Sequence, residues 1–135
     1  MTTPRLMELR RRIARRSEEA RGQEAAAAGE MRAVRIARSP VELWIVMGRE
    51  SDYIAIPGTY CSCPHFTIRV AGGESSEPCY HLVAVDIARR TGRFHDLSMV
   101  LRGDKLVDVL LETIFEGRTR TLRRLLYQQS RQGKQ

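Results

Sequence analysis

The spacing of apolar residues changes character along the chain, and each change predicts a different element. Leu6, Leu9 and Ile13 recur at helical intervals among arginines; Thr3 suits a cap, Pro4 the first helical position and Gly29 the end, so residues 3–28 are expected to form a helix. Its apolar stripe is short. Beyond Arg16 it fades into Ala20 and the run Ala25–Ala28, with Gly22 weakening the middle, so docking through the first half, or onto a partner, is expected.

From Val34 the period shortens towards two, through Val34, Ile36, Val41, Leu43 and Ile45. "VELWIVM" (41–47) and "DYIAI" (52–56) are rich in β-branched and aromatic residues and flank "GRES", which predicts a β-hairpin closed by Pro57 and Gly58. The helical period returns over 79–91, offering Leu82, Val85, Ile87 and Ala88 for burial, with Gly92 as the stop. A further helix is expected from Asp104, read as its cap, through Leu106, Val109, Leu110, Thr113 and Ile114 to Gly117. Thr119 then caps a last basic helix carrying Leu122, Leu125 and Leu126, and the tail "QQSRQGKQ" reads as frayed. The expected class is α+β: an N-terminal helix, a small antiparallel hairpin or sheet, then helices. Three regions follow: a basic N-terminal helix (1–33), a central domain (34–103) and a basic helical extension (104–135).

Charge sharpens this division. Residues 1–38 hold ten arginines against five glutamates, a net +5; residues 39–116 carry a net −4; residues 117–135 hold six basic and no acidic side chains. An acidic middle between basic ends suits contact with a polyanion, because clustered cations that neutralise phosphates release counterions. Arginine supplies 21 of the 23 basic residues, and its planar fork matches phosphate better than an ammonium does. Arg10, Arg11, Arg12, Arg15 and Arg16 at one end, and Arg118, Arg120, Arg123 and Arg124 at the other, are the expected nucleic-acid contacts. Solvated helix faces are the competing reading of both runs.

The chemistry concentrates in "CSCPHFTIRVAGGESSEPCYH" (61–81), which contains all three cysteines and two of the three histidines. An odd number of cysteines leaves a disulfide framework incomplete and fits a reducing compartment. Zinc needs four donors at about 2.0–2.3 Å from one point, and Cys61, Cys63, Cys79 and His81 supply a Cys₃His set. In a Cys-x-Cys pair on an extended strand both thiols face the same way. The 15 residues from Pro64 to Pro78 include Gly72, Gly73, Ser75 and Ser76 and can bring the second pair back at the start of the next helix. One structural zinc would thereby clamp the hairpin to that helix. His65 competes with His81 as a donor by sequence proximity, though a surface or supporting position suits it better. The cysteines could also be small buried hydrophobes, or one could pair with a histidine as a nucleophile.

His95, next to Asp96, stands apart and reads as a capping or packing residue. The chain has no phosphate-binding glycine loop, no Gly-x-Ser-x-Gly and no His-Glu-x-x-His, so no enzymatic turnover and no small-molecule substrate are expected. No run approaches 18 uncharged apolar residues and the N-terminus is too arginine-rich for a secretory signal, so no membrane partner and a cytoplasmic location, on nucleoid or ribosome, are expected.

Two strands running into "YIAIPGTYCSCPHF", a loop, then "EPCYHLVAVDIARR" resembles the SWIM-type zinc finger over residues 41–91. The resemblance implies the same four zinc ligands, Cys61, Cys63, Cys79 and His81. It departs from the family at His65, where an acidic residue is frequent, and in its long polar loop. SWIM modules occur in proteins that contact DNA and in some that bind proteins. A small chain with helical flanks is similar to the SWIM subunit of Shu-type recombination complexes, which implies a RecA-family paralogue as partner and a role in DNA recombination or repair. A ribosome-associated or otherwise RNA-bound protein and a pure protein–protein adaptor are the other expectations.

Overall fold

The computed structural model describes residues 3–19, 32–48, 50–75 and 77–133, with side chains as far as Gln129. Helix α1 spans Pro4–Glu19. The remainder of the expected 3–28 helix lies outside the described residues. Its start follows the local chemistry: the Leu6 N–H donates to Thr3 Oγ1 at 3.2 Å, and Pro4 takes the position where an N–H is not needed.

Five strands form one sheet in the order β4-β3-β2-β1-β5: β1 Arg32–Ala37, β2 Leu43–Met47, β3 Asp52–Ile56, β4 Tyr60–Cys61 and β5 His95–Asp96. The expected hairpin is β2 with β3, in register from Trp44 opposite Ala55 to Met47 opposite Asp52. The hairpin lies inside a larger sheet. The period-two stretch from Val34 becomes β1, antiparallel to β2, and β5 adds to β1 in parallel. Strand β2 is therefore central, and its run of four buried residues after Leu43 reflects a strand covered on both faces.

The pleat divides the core. Trp44, Val46, Ala33 and Ala55 face α1 and helix α2 (Tyr80–Thr91), packing with Leu9, Ile13, Leu82 and Val85. Val34, Ile36, Ile45 and Met47 face the other way, onto Leu97, Leu101, Val109, Leu122 and Leu126. Each fully buried aliphatic side chain in these layers is worth about 1.5–3 kcal/mol. The basic helices at the two ends of the chain thus cover opposite faces of one sheet. Among the described residues no helix is long and apolar enough to cross a membrane.

Helix α2 stops at Gly92, whose left-handed φ of 74° lets its N–H reach Ala88 O at 2.9 Å. Helix α3 spans Asp104–Leu111 and widens into a π-helical stretch over Glu112–Glu116. The capping expectation is corrected here: Asp104 is the first helical residue and Gly103 occupies the cap with φ 57°, so Asp104 acts through the helix dipole only. Thr119 does cap helix α4 (Arg120–Gly133), accepting the Leu122 N–H at 3.2 Å. The helix continues to Gly133 through most of the stretch expected to fray.

Polar bonds fasten the second layer. Asp52, with a fully buried side chain, accepts both Arg123 guanidinium nitrogens at 2.5 and 2.8 Å and the Thr119 N–H at 2.8 Å, tying α4 to the hairpin. Asp96 accepts from Arg35 at 2.5 Å and from Arg38 at 2.7 Å, bridging β5 and β1. His95 corrects another expectation: it is exposed on the edge strand, and its neighbour Asp96 makes the structural bonds.

Asp52→Ala leaves Arg123 without its buried partner and should cost about 3 kcal/mol in urea denaturation, whereas Arg120→Ala, which removes the exposed pair with Glu116, should leave the midpoint unchanged. The Arg35 guanidinium holds the Asp96 carboxyl well below the usual carboxylate range. That stabilisation is complete above about pH 4 and is lost as pH falls through the depressed value, so Asp96→Asn should destabilise at neutral pH and converge with wild type in strong acid.

Candidate metal centre

The strand ladder carries the first cysteine pair. Ser62 bonds to Ile54 twice, through its N–H to Ile54 O and through its Oγ accepting the Ile54 N–H, both at 2.9 Å. With Ser62 pinned to β3, Cys61 and Cys63 turn to the opposite face together. Pro64 turns the chain and a π-helical segment, Phe66–Val70, follows, its Phe66 and Val70 side chains sealing the core beside the site. Cys79 is the N-cap of α2 and His81 lies in its first turn.

These elements bring Cys61, Cys63, Cys79 and His81 together, with one donor atom from each within 4.8 Å of all the others. The three thiols are free and buried, and His81 is half-buried with its ring 4.7 Å from that of Tyr53. His65 is not among the four; its Nε2 lies 3.1 Å from Glu77 O, steadying the backbone just before Cys79.

Each sulfur has an amide donor. The Cys63 N–H serves Cys61, the Phe66 N–H serves Cys63 at 3.4 Å, and the Leu82 N–H serves Cys79. Donors of this kind favour thiolates over thiols. Without metal the three sulfurs share protons unequally. Hydrogen bonds from Cys61 and Cys79 push the Cys63 thiol down, while Cys61, whose proton is held against Cys63, is pushed up. For Cys79, the Cys61 contact works downwards, but the Cys63 contact and burial outweigh it and raise the thiol to about 11.

The donor set fits a metal on a second count: His81 Nδ1 is buried without a hydrogen-bond partner. Three sulfurs and one imidazole, two to each side of a returning loop, are the donors and arrangement that tetrahedral zinc takes.

Residues 44–88 match the family model of the SWIM zinc finger. The chain carries a SWIM zinc finger. Its cofactor is one structural zinc, for which this Cys₃His cluster is the site. Neither a curated protein nor a solved structure matches the chain.

The expected basic contacts separate into two groups. Of the five α1 arginines, Arg10, Arg12 and Arg16 fasten the segments that feed the SWIM finger. Arg10 donates to Gly58 O and Thr59 Oγ1, each at 3.2 Å, just before Cys61. Arg12 and Arg16 both reach Glu77, each at 3.2 Å, and Arg16 also donates to Pro78 O, just before Cys79, and lies over the Tyr80 ring. Arg11 pairs with Glu8, and Arg15 is exposed. The C-terminal arginines lie across the sheet. Arg118 donates to Glu50 O at 3.4 Å, Arg120 pairs with Glu116, Arg123 is held by Asp52, and Arg124 is exposed. The two runs do not form one surface, and Arg123 is committed inside the fold.

Spacing alone did not reveal three supports of the finger: Ser62, which aims the cysteine pair; Tyr53, which backs His81; and Glu77, which links α1 to the knuckle. The alternation in "DYIAI" places Tyr53 on a face without indicating what meets it, and Glu77 is an ordinary loop acid until α1 is docked.

Cys79→Ser should abolish stoichiometric zinc, read by elemental analysis of the folded protein, while His65→Ala should retain it. Since protons compete with zinc for the sulfurs, metal retention should fall with acidification more steeply than first order in proton concentration, followed with a zinc-sensitive dye.

Proposed function

We propose that this chain is a non-catalytic adaptor that grips nucleic-acid phosphate with the arginine face of α1, held in place by a zinc knuckle whose ligands are Cys61, Cys63, Cys79 and His81. The carrying observation is a cleft of about 490 Å³ lined by Arg11, Arg12, Arg15 and Arg16, with Glu8 and Glu77 on its walls. Glu77 sits between Arg12 and Arg16 as a carboxylate in a place that suits an anion. A phosphate brings more charge and more acceptor oxygens to the same guanidinium forks, and displacing Glu77 is the step that binding requires. Zinc with four protein donors keeps no open position for substrate, which supports a structural rather than catalytic metal.

Arg118, Arg120 and Arg124 on the far side of the sheet are a second contact for a strand that wraps or for a second duplex. The resemblance to the SWIM subunit of Shu-type complexes favours DNA, with a RecA-family partner. Ribosomal or other RNA is the alternative polyanion, and the same titrations separate the two.

The test is fluorescence anisotropy of labelled single-stranded DNA, duplex DNA and RNA across a salt series. Binding should weaken as salt rises, and the double variant Arg11→Gln, Arg15→Gln should lower the slope of log affinity against log salt by roughly 2, since each lost phosphate contact removes about one counterion. Zinc content should not change. Glu77→Gln, which removes the carboxylate that Arg12 and Arg16 share, should tighten binding severalfold; if it leaves affinity untouched at low salt, the cleft is not the phosphate site.

A further inference from the structure

Helix α3 and its π-helical continuation are apolar on two sides. Val109 and Thr113 are buried and Leu106 and Leu110 pack on the second core layer. Val107, Leu111, Ile114 and Phe115, at i, i+4, i+7 and i+8, form a second stripe that is 50%, 45%, 60% and 79% exposed. This spacing makes one continuous face, and a helix with apolar residues on both sides is one that is covered on both sides when it works. The α4 helix secures the inner side. Glu112 accepts from the Thr121 N–H at 2.9 Å, the Thr121 hydroxyl at 2.7 Å and the Thr119 hydroxyl at 3.0 Å, so the stripe is presented on a fixed support.

The border of the stripe identifies its occupant. Asp104 and Asp108 are exposed and lie in the same helical row as Leu111 and Phe115, and residues 104–116 hold four acidic side chains against the single base Lys105. This apolar surface is edged with negative charge in a chain whose net charge is +7. The same stretch of a second copy has only Lys105 to offer that acidic edge, so it is poorly matched to it.

We infer that the exposed α3 face is a docking surface for an amphipathic helix of a partner protein, with apolar side chains packing on Leu111, Ile114 and Phe115 and lysine or arginine residues meeting Asp104 and Asp108. This surface lies on the sheet face opposite α1, so an adaptor can hold phosphate on one side and this helix on the other. The inference extends the adaptor reading with a separate surface, and the two can fail independently.

The probe is a fluorescent synthetic helical peptide of about 20 residues with a leucine face bordered by lysines, beside a companion bordered by glutamates, titrated with the zinc-loaded full-length chain. The lysine-bordered peptide should bind and its companion should not. Phe115→Ser should weaken binding about tenfold, and Asp108→Lys should reverse the preference between the peptides. Because Phe115 is so exposed, its variant should keep zinc, helical circular dichroism and oligonucleotide affinity; Ile114→Ser is the second variant should Phe115→Ser fail to fold. No binding of either peptide, equal binding of both, or a wild-type dimer that Phe115→Ser converts to monomer would each overturn this occupant, the last by showing a second copy in its place. Loss of oligonucleotide binding by the arginine variants with peptide binding intact bears on the phosphate cleft alone.

Discussion

The convergence of three sulfurs and one imidazole within 4.8 Å is the constraint on which the remaining structure depends. It sits where the hairpin ends, where the long polar loop returns and where α2 begins. Among the described residues of the 15-residue loop only Phe66, Val70 and Pro78 are buried, so little apolar burial orders it. Zinc closes that loop at its two ends, and each sulfur already has an amide donor that favours the thiolate which the metal requires. Phe66 and Val70 then seal the site against the core from within the loop itself.

The clamp extends outward through arginine. Arg10 on Gly58 and Thr59, Arg5 on Val70 O, and Arg12 and Arg16 on Glu77 connect α1 to each chain segment bearing on the metal. These are exposed or half-exposed pairs, individually worth little in water, and their effect is directional: they fix which face of α1 lies on the knuckle and which faces outward. The same side chains therefore serve the fold while keeping part of their surface exposed. Glu77 is the clearest case, held by two guanidinium groups of α1 at once.

The opposite face of the sheet is organised by a different kind of bond. There the buried Asp52 carboxylate, the Thr119 cap and Glu112 hold α4 and α3 in place over an aliphatic layer. Zinc chemistry on one face and buried polar anchoring on the other keep the two surfaces independent. The arginine-lined cleft and the acidic-edged apolar stripe therefore rest on separate sets of bonds.

Much was legible in local spacing. The Cys-x-Cys and Cys-x-His pairs, the hairpin strands, the α2 stop at Gly92 and the Thr119 cap follow from neighbours a few residues apart, because metal-ligand spacing, pleat and helix capping are short-range properties. Strands β4 and β5 were not legible: two residues have no period, and they exist only through pairing with β3 and β1. Nor could the chain indicate which arginines are committed. Arg123 and Arg124 are adjacent in sequence, yet one is locked onto Asp52, 71 residues away, and the other faces solvent. The amino-acid sequence determined that this protein has a four-donor zinc site and basic ends. Tertiary structure decided which charges are spent inside the fold, because a guanidinium's role depends on the carboxylates that the folded chain brings within reach.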